Sequence, residues 1–548
     1  MMNLLDLSVR NWIILISIVS IITLFFYLIF KVKNYIFKAV CLVVLLAFYF
    51  YVYKKFPNIQ YILIGLVLIP LGIGALIYMF GYQKPPHPIY DIPIETNKGT
   101  KYIRNFKRGI SIFGSAGSGK TVSLIFPILK HFAKNDIAGI IYDFKDGELT
   151  EIAMPLFKDQ LKIVAVHNPE ISVKVNPISP KLINGEKDIN EIVTVLMDNL
   201  INNGVGKGND FFKDSASSLL SSVILKFWFD HPRYCTLPHV ISFILAIDFG
   251  LNENGNNKFT NLSDQAENKF SKLKTFLTTN ERVAIQGSAF IMGLASERQT
   301  ASVLSTLANA LRKISFPEAF WVLSDNEVEF DINSDKNRSV ISVLNEPKAS
   351  QFLSPINATI IHAITKQMMV RNRKPSFLCL DEAPTIKLLN MAQIPATMRS
   401  FEVGVIYCAQ DIVQGIVQYG RDGFKEILAN LSTQFFGKSN DPDTSKFYES
   451  YFEIIKDKTK SISQKGDIFD SGKTITTGER EVSKYRASTF NNLKVGEFAM
   501  LSDGDNNIYH MKADKIDNAE MAIKKQITAS MLDMNYTKII NEVKLLIE

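Results

Sequence analysis

The chain has 548 residues, of which 47% are hydrophobic and 21% charged, so it is long enough for several folded domains and is not a disordered protein. Its formal net charge is +7, but residues 1–90 hold seven basic residues and one acidic residue, so most of that charge lies in this segment. The rest of the chain is nearly balanced, and net charge therefore gives no evidence for nucleic-acid binding.

The first 90 residues contain three apolar segments. Residues 12–30 and 59–82 carry no charge, and a shorter apolar segment covers residues 35–53. Because a membrane-crossing helix needs about 20 apolar residues, we predict a transmembrane anchor over residues 1–84 with these three spans. A cleaved signal peptide is the alternative for the first segment, but Lys31 and Lys33 follow it where small residues would be needed.

Beyond residue 105, short apolar runs alternate with helical stretches, which is typical of a mostly parallel sheet covered by helices. The pattern predicts an α/β core. Between residues 186 and 325 the apolar residues instead recur with helical spacing, so we expect an all-α domain inserted into the α/β domain. The predicted parts are 85–185 and 326–515 for the α/β domain, 186–325 for the insertion and 516–548 for a C-terminal helical tail.

Two smaller features complete this outline. Residues 458–481 are polar and predict a mobile loop or a hairpin. The four cysteines show no paired spacing, which indicates a reducing compartment in which they serve as small apolar residues.

The stretch SIFGSAGSGKTVSLIFPILK, residues 111–130, combines an apolar strand, a glycine-rich loop and an apolar helix. The loop matches the G-x-x-x-x-G-K-[ST] pattern, in which backbone N–H groups and a helix N-terminus cradle phosphates. Lys120 would reach the β- and γ-phosphates of ATP, and the Thr121 hydroxyl would bind Mg²⁺. The predicted nucleotide-binding residues are Gly114, Ser115, Ala116, Gly117, Ser118, Gly119, Lys120 and Thr121.

The second half of such a site is an acidic residue at the end of an apolar strand, and FLCLDE at residues 377–382 has this form. Asp381 would bind the Mg²⁺ shell and Glu382 would polarise the attacking water, as in a hydrolysing motor. The alternative is that two acidic residues simply open a helix, where they suit the helix dipole.

Two residues near the next strand are further catalytic candidates. Gln410 follows the strand at 403–409, so a parallel sheet would bring it beside Asp381, where it could sense the γ-phosphate. Arg399 precedes that strand and could neutralise charge on the transferred phosphoryl group, often from a neighbouring subunit. A solvated cation at a helix end is the alternative for Arg399.

Together these residues resemble the TraG/TraD-like coupling proteins of conjugation and type IV secretion, which are P-loop ATPases of the RecA/FtsK-like class. The resemblance covers residues 100–510, and "LDEAPT" followed by an arginine, a strand and "AQD" is its most specific part. The other segments that carry it are "GSAGSGKT", "IIYDFKDGEL", "VNPI", "NDFFKDSASSLL" and "ILANLSTQFFGKSNDPDTSKFY".

The resemblance implies a RecA-like ATPase core with an inserted all-α domain, assembled as a homohexamer. It implies a multi-pass protein of the bacterial inner membrane with its ATPase body in the cytoplasm. Expected partners are a relaxase or relaxosome with single-stranded DNA, adaptor-bound protein substrates, and inner-membrane components of the secretion channel. By position, Arg399 matches the arginine acting in trans and Gln410 the sensor.

This sequence departs from the family pattern in two places. Many members have two membrane spans around a periplasmic segment, whereas three spans are predicted here. The segment DFKDGE, residues 143–148, is one residue longer than the usual form. Two other functions stay open at this point, namely an FtsK-like double-stranded DNA translocase and a substrate receptor or scaffold that binds ATP without hydrolysing it.

Overall fold

The computed structural model describes residues 9–31, 50–51, 54, 70–74, 86–201, 210–249, 262–294, 296–464, 473–523 and 525–547. The chain divides into two compact units, Met1–Pro86 and His87–Glu548. In the first unit, helix α1 spans Val9–Lys31. Within the described ranges no helix is long and apolar enough to cross a membrane, so the predicted transmembrane helices are not supported. Most of the predicted spans 35–53 and 59–82 lies outside the described residues.

The second unit contains one large sheet and two hairpins. Its strands are β1 (Ile92–Thr96), β2 (Gly99–Ile103), β3 (Ile110–Phe113), β4 (Ala138–Asp143), β5 (Leu161–Ala165), β6 (Val340–Leu344), β7 (Ser376–Leu380), β8 (Val403–Ala409), β9 (Thr433–Phe436), β10 (Ile454–Gln464), β11 (Lys473–Ser483), β12 (Glu497–Ser502) and β13 (Asp505–His510). The hairpins are β1–β2 and β10–β11, and the second of these spans the region predicted as a loop or hairpin.

The helices of the second unit fall between these strands. They are α2 (Phe126–Lys134), α3 (Glu148–Phe157), α4 (Glu186–Leu200), α5 (Asp210–Asp230), α6 (Leu237–Phe249), α7 (Leu262–Thr278), α8 (Glu281–Gln286), α9 (Ser288–Gly293), α10 (Glu297–Arg312), α11 (Pro317–Val322), α12 (Ser350–Met368), α13 (Ile394–Arg399), α14 (Ile412–Tyr419), α15 (Arg421–Ala429), α16 (Pro442–Glu449), α17 (Ala487–Asn491) and α18 (Ala529–Ile547).

The large sheet has the order β13-β12-β9-β3-β8-β7-β4-β6-β5. The strands from β9 to β5 are parallel, and β12 and β13 extend the sheet in antiparallel fashion. Every residue of β3, β4, β6, β7, β8 and β9 is buried. This burial explains the continuous apolar runs in the sequence, because a parallel sheet is covered by other elements on both faces. The predicted α/β fold with a mostly parallel sheet is confirmed.

Alternate residues of each strand face two separate cores. On β8, Val405 and Tyr407 belong to the larger apolar cluster, whereas Ile406 and Cys408 belong to a second cluster on the opposite face. The larger cluster continues into helices α4 to α12, and the second includes α2, α3 and the β1–β2 hairpin. The cysteines Cys235, Cys379 and Cys408 are buried and free, as expected for apolar packing.

Helices α4 to α11 occupy the interval between β5 and β6, and α18 packs against α6 and α11. Glu542 of α18 accepts a hydrogen bond from His239 at 3.1 Å, and the Tyr536 ring lies 4.6 Å from that of Phe320. Ile539 and Val543 are buried at the same contact. The C-terminal tail thus packs on helices that lie more than 200 residues earlier in the chain. The predicted domain boundaries themselves stay a prediction.

Candidate nucleotide-binding site

The loop that joins β3 to α2 forms the first part of the site. Gly117 and Gly119 have φ angles of +74° and +91°, a left-handed conformation that glycine adopts without strain. A Cβ atom at Gly114 would lie only 2.5 Å from the Ser118 Oγ atom. The chain then enters a π-helical turn, Thr121–Ile125, that leads into α2. Residues 114–121 therefore form a tight loop at the carboxyl end of β3, and their binding of phosphate stays a prediction.

Lys120 and Glu382 meet across this loop. The Lys120 Nζ atom donates a hydrogen bond to the Gly114 oxygen at 2.5 Å and lies 3.6 Å from Glu382 Oε1. Both side chains are buried, with exposed fractions of 6% and 2%. Neither Glu382 oxygen has a hydrogen-bond partner among the described residues, and the same holds for the Ser115 and Ser118 hydroxyls. Buried polar atoms without partners are costly, so this set of unpaired groups indicates a site built for a polar ligand.

Glu382 has an unusual backbone conformation. Its φ and ψ angles are 49° and 51°, which is strained for a residue with a side chain. A chain of hydrogen bonds holds it there: Asn345 donates to the Tyr142 hydroxyl, Tyr142 bonds to Thr385, and the Thr385 hydroxyl donates to the Glu382 carbonyl oxygen at 2.7 Å. Strain of this kind is concentrated at functional sites. The network therefore holds the Glu382 backbone in this conformation.

Asp381 lies beside two further charged residues from the end of β4. Tyr142 of β4 pairs with Leu380 of β7, and Asp143 and Asp381 are the next residues along these two parallel strands. The two aspartates are therefore neighbours at the carboxyl ends of the strands. Burial and then the Glu382 carboxylate raise the pKa of Asp381 to about 7 from 3.8, and Lys145 opposes this rise. Burial also raises the pKa of Asp143. A divalent cation would stabilise the negatively charged form of buried carboxyl groups such as these, whose pKa is raised.

Lys145 balances this cluster. Its own partial burial lowers its pKa, but Asp381, Glu148 and Glu382 outweigh that effect, so the pKa of Lys145 is raised overall. Its Nζ atom lies 3.4 Å from Glu148 Oε2. The Lys145 ammonium group therefore interacts electrostatically with Asp381 and Glu382.

We expect Asp381→Asn to stabilise the folded protein when nucleotide and Mg²⁺ are absent. The pKa of this carboxyl group is about 7 in the folded protein and 3.8 in the unfolded chain. The free energy of unfolding therefore falls as pH rises between these two values. The variant should therefore gain up to about 4 kcal/mol over wild type at pH 8, at about 1.36 kcal/mol per pKa unit, and much less near pH 4. Urea unfolding of both proteins at pH 4, 6 and 8 measures this, and a pH-independent difference would contradict it.

Gln410 lies near the other site residues, and Arg399 does not. Strand β8 runs between β3 and β7, with Ala409 paired to Phe113, so Gln410 follows the central strand at the same edge as Lys120 and Asp381. Arg399 is the exposed last residue of α13, before the amino end of β8. Seven strand residues at about 3.3 Å each place it roughly 20 Å from the phosphate loop. One chain therefore does not bring Arg399 to its own site.

The sequence patterns do not predict that Asp143 and Lys145 lie beside Asp381. The available signal is that Asp143 is the last residue of the apolar strand β4, whereas Asp381 directly follows the apolar strand β7. Nothing local in the sequence pointed to Tyr142, Asn345 and Thr385, because their network joins three separate segments.

Comparison with protein families adds to this geometry. Residues 83–487 match the sequence model described as Type IV secretory system Conjugative DNA transfer. The chain belongs to this family. The match covers strands β1 to β11 and the helices inserted between β5 and β6, whereas β12 and β13 of the large sheet lie beyond it. No curated protein matches the chain.

Solved structures similar to this family member include those of a coupling protein. The unbound monoclinic form of the bacterial conjugative coupling protein TrwBdeltaN70 has a TM-score of 0.60 and 13% identity, covering 82% of this chain and 94% of that one. TrwB in complex with ADP and Mg²⁺ has a TM-score of 0.60 and 12% identity, with the same coverage. TrwB with the ATP analogue ADPNP has a TM-score of 0.59 and 13% identity, covering 83% and 95%. Identities this low establish a shared fold.

Proposed function

We propose that this chain is a P-loop ATPase that drives substrates into a conjugation or type IV secretion channel. The observation that carries the proposal is the meeting of Lys120 with the buried, hydrogen-bond-free carboxyl group of Glu382, beside Asp381. A phosphate loop alone would bind nucleotide, whereas an unpaired acid held opposite its lysine suits activation of a water molecule. The family match at residues 83–487 supports transfer of DNA as the process.

The residues fit MgATP as a substrate. Backbone N–H groups of residues 114–121 would hold the phosphates, and Lys120 would leave Glu382 to contact the terminal phosphate. Thr121 and Asp381 would hold Mg²⁺, which neutralises phosphate charge when bound. Glu382, released from Lys120, would accept the proton of the attacking water, and Gln410 would contact the terminal phosphate. TrwB, whose fold this chain shares, has been solved with ADP and Mg²⁺ and with ATP and GTP analogues.

The proposal includes an assembled, membrane-associated state. We infer a homohexamer in which Arg399 of one subunit reaches the nucleotide of the next. We also infer that the protein is associated with the bacterial inner membrane, and the family match supports this association. The inferred cargo is a relaxase-bound single strand of DNA, an adaptor-bound protein, or both, passed to inner-membrane components of the channel.

Lys120→Ala should abolish transfer of a marked plasmid from donor cells and ATP hydrolysis by the purified protein. The lysine supplies the only side-chain ammonium group in the described phosphate loop, so its loss removes both binding and charge neutralisation. Lys374→Ala is the matched control, because that side chain is 52% exposed and pairs with Asp335 away from the loop. Normal transfer by Lys120→Ala would contradict the proposal, because it would show that nucleotide at this loop is not needed. Normal transfer by wild-type protein without measurable hydrolysis would favour the non-hydrolysing receptor instead. ATPase stimulation by double-stranded but not single-stranded DNA would favour the FtsK-like translocase.

A further inference from the structure

The turn that precedes β12 contacts the phosphate loop directly. The Gly496 N–H group donates a hydrogen bond to the Ser118 carbonyl oxygen at 2.9 Å. A Cβ atom at Gly119 would lie 3.1 Å from the Gly496 nitrogen and 3.4 Å from Val495 Cγ1. Residues almost 380 positions later in the chain therefore form one wall of the loop, and they lie beyond the residues that match the family.

This wall stands on the side of the loop opposite Glu382. Lys120 Nζ, near Glu382, marks where a terminal phosphate would lie, toward β8 and β7. The sheet order places β9 and β12 on the other side of β3. A nucleotide extended along the loop, in the crevice outside the carboxyl ends of the strands, would carry its ribose and base toward β12.

The wall offers surfaces suited to a flat heterocycle. Val495 is 66% exposed although it is apolar. The His510 ring lies against Gly496, with its Cε1 atom 3.3 Å from where a Cβ would be, and this histidine is exposed. Single exposed apolar residues are ordinary on protein surfaces. Val495 differs because it touches a glycine of the phosphate loop, beside an aromatic ring on which a base can stack.

The backbone groups of Gly496 are poorly placed to recognise one base over another. The N–H group of Gly496 is bonded to Ser118, and its carbonyl oxygen accepts a hydrogen bond from the Met511 N–H group at 2.8 Å. The N–H group is therefore not free to read the edge of a base, and the carbonyl oxygen is already engaged within the turn. A site that contacts a base by surface, without directed hydrogen bonds, discriminates weakly, so we expect ADP and GDP to bind with affinities within about tenfold of each other.

We propose that Val495, Gly496 and His510 form the surface against which the ribose and base of the bound nucleotide lie. The inference rests on the proposed nucleotide binding and assigns the nucleoside part of that same site. The full-length variants Val495→Ser and His510→Ala should each weaken MgADP binding by about tenfold, the loss expected for a stacked base. Binding of inorganic tripolyphosphate should stay within twofold of wild type, at about the precision of such titrations.

Isothermal titration with both probes decides the matter, with Val370→Ser as control because Val370 is 41% exposed near the amino end of β7. Crosslinking with 8-azido-ADP should label a peptide within residues 494–511. Unchanged ADP affinity in both variants, equal weakening of ADP and tripolyphosphate, or labelling confined to other peptides would overturn the assignment alone. A wild-type protein that binds neither probe would overturn the proposed function as well.

Discussion

Replacing Glu382 with Gln should lower kcat for ATP hydrolysis by about 10²- to 10⁴-fold, the range expected for loss of a general base. The substitution keeps the size of the side chain but removes its negative charge and its ability to accept a proton. Glu382 is 2% exposed, and its backbone is held by the hydrogen bonds that run from Asn345 through Tyr142 to Thr385. No other described carboxyl group is placed so close to Lys120, so another group would not replace it.

Binding and turnover should separate in this variant. Glu382→Gln should still bind ATP, and with hydrolysis slowed it should retain ATP that wild type converts to ADP. Single-turnover measurements with radiolabelled ATP follow both quantities, and Glu426→Gln serves as control because Glu426 is exposed on α15. Turnover equal to that of wild type would show that Glu382 does not activate the water. Loss of ATP binding would indicate a structural role instead.

Arg399→Ala should reduce the ATPase rate of the assembled protein by about 10³-fold or more, as removal of an arginine that acts in trans does in related phosphoryl-transfer systems. Arg399 lies before the amino end of the buried strand β8, whereas the phosphate loop lies at the carboxyl ends of the strands. No rearrangement of side chains alone covers the length of that strand. The effect should therefore depend on assembly and be absent in the monomer.

A mixing experiment tests the trans arrangement. Arg399→Ala and Lys120→Ala subunits are each inactive, but a random mixture should form intact sites at about a quarter of its interfaces, where an intact loop faces an intact arginine across a head-to-tail contact. Arg371→Ala is the control, an exposed arginine before β7 at the same edge. A mixture as inactive as its components, or an Arg399→Ala assembly as active as wild type, would exclude the trans role.

The sequence predicted the parts of the site but not their arrangement. The loop at 114–121 and the strand before Asp381 are local patterns, since glycines, a lysine and a continuous apolar run carry their own conformational preferences. Strand order is not local. The sequence predicted that β8 lies next to Asp381 but not that it also separates β7 from β3. Arg399 is predicted to precede β8, but without the strand order the sequence does not show how far this places it from the phosphate loop.

Contacts between distant segments were the least predictable. The left-handed backbone of Glu382 follows from a network that joins residues from β4, the end of β6 and the turn after β7. The bond from Gly496 to Ser118 joins the two ends of the sheet domain. Neither involves a motif, because each depends on where tertiary packing brings an ordinary tyrosine or glycine. The predicted membrane spans at 35–53 and 59–82 lie mostly outside the described residues.

The central position of β3 has a consequence for how the protein is made. Phe113 at the end of β3 pairs with Ala409 on one side and Phe436 on the other. Val403, where β8 begins, follows Phe113 by 290 positions, so at roughly 5–20 residues per second a ribosome reaches it roughly 15–60 s later. During that interval the apolar β3 has neither neighbour, and such unpaired edges promote aggregation. The central strand of the sheet therefore gains both of its neighbours only after most of the chain has been made.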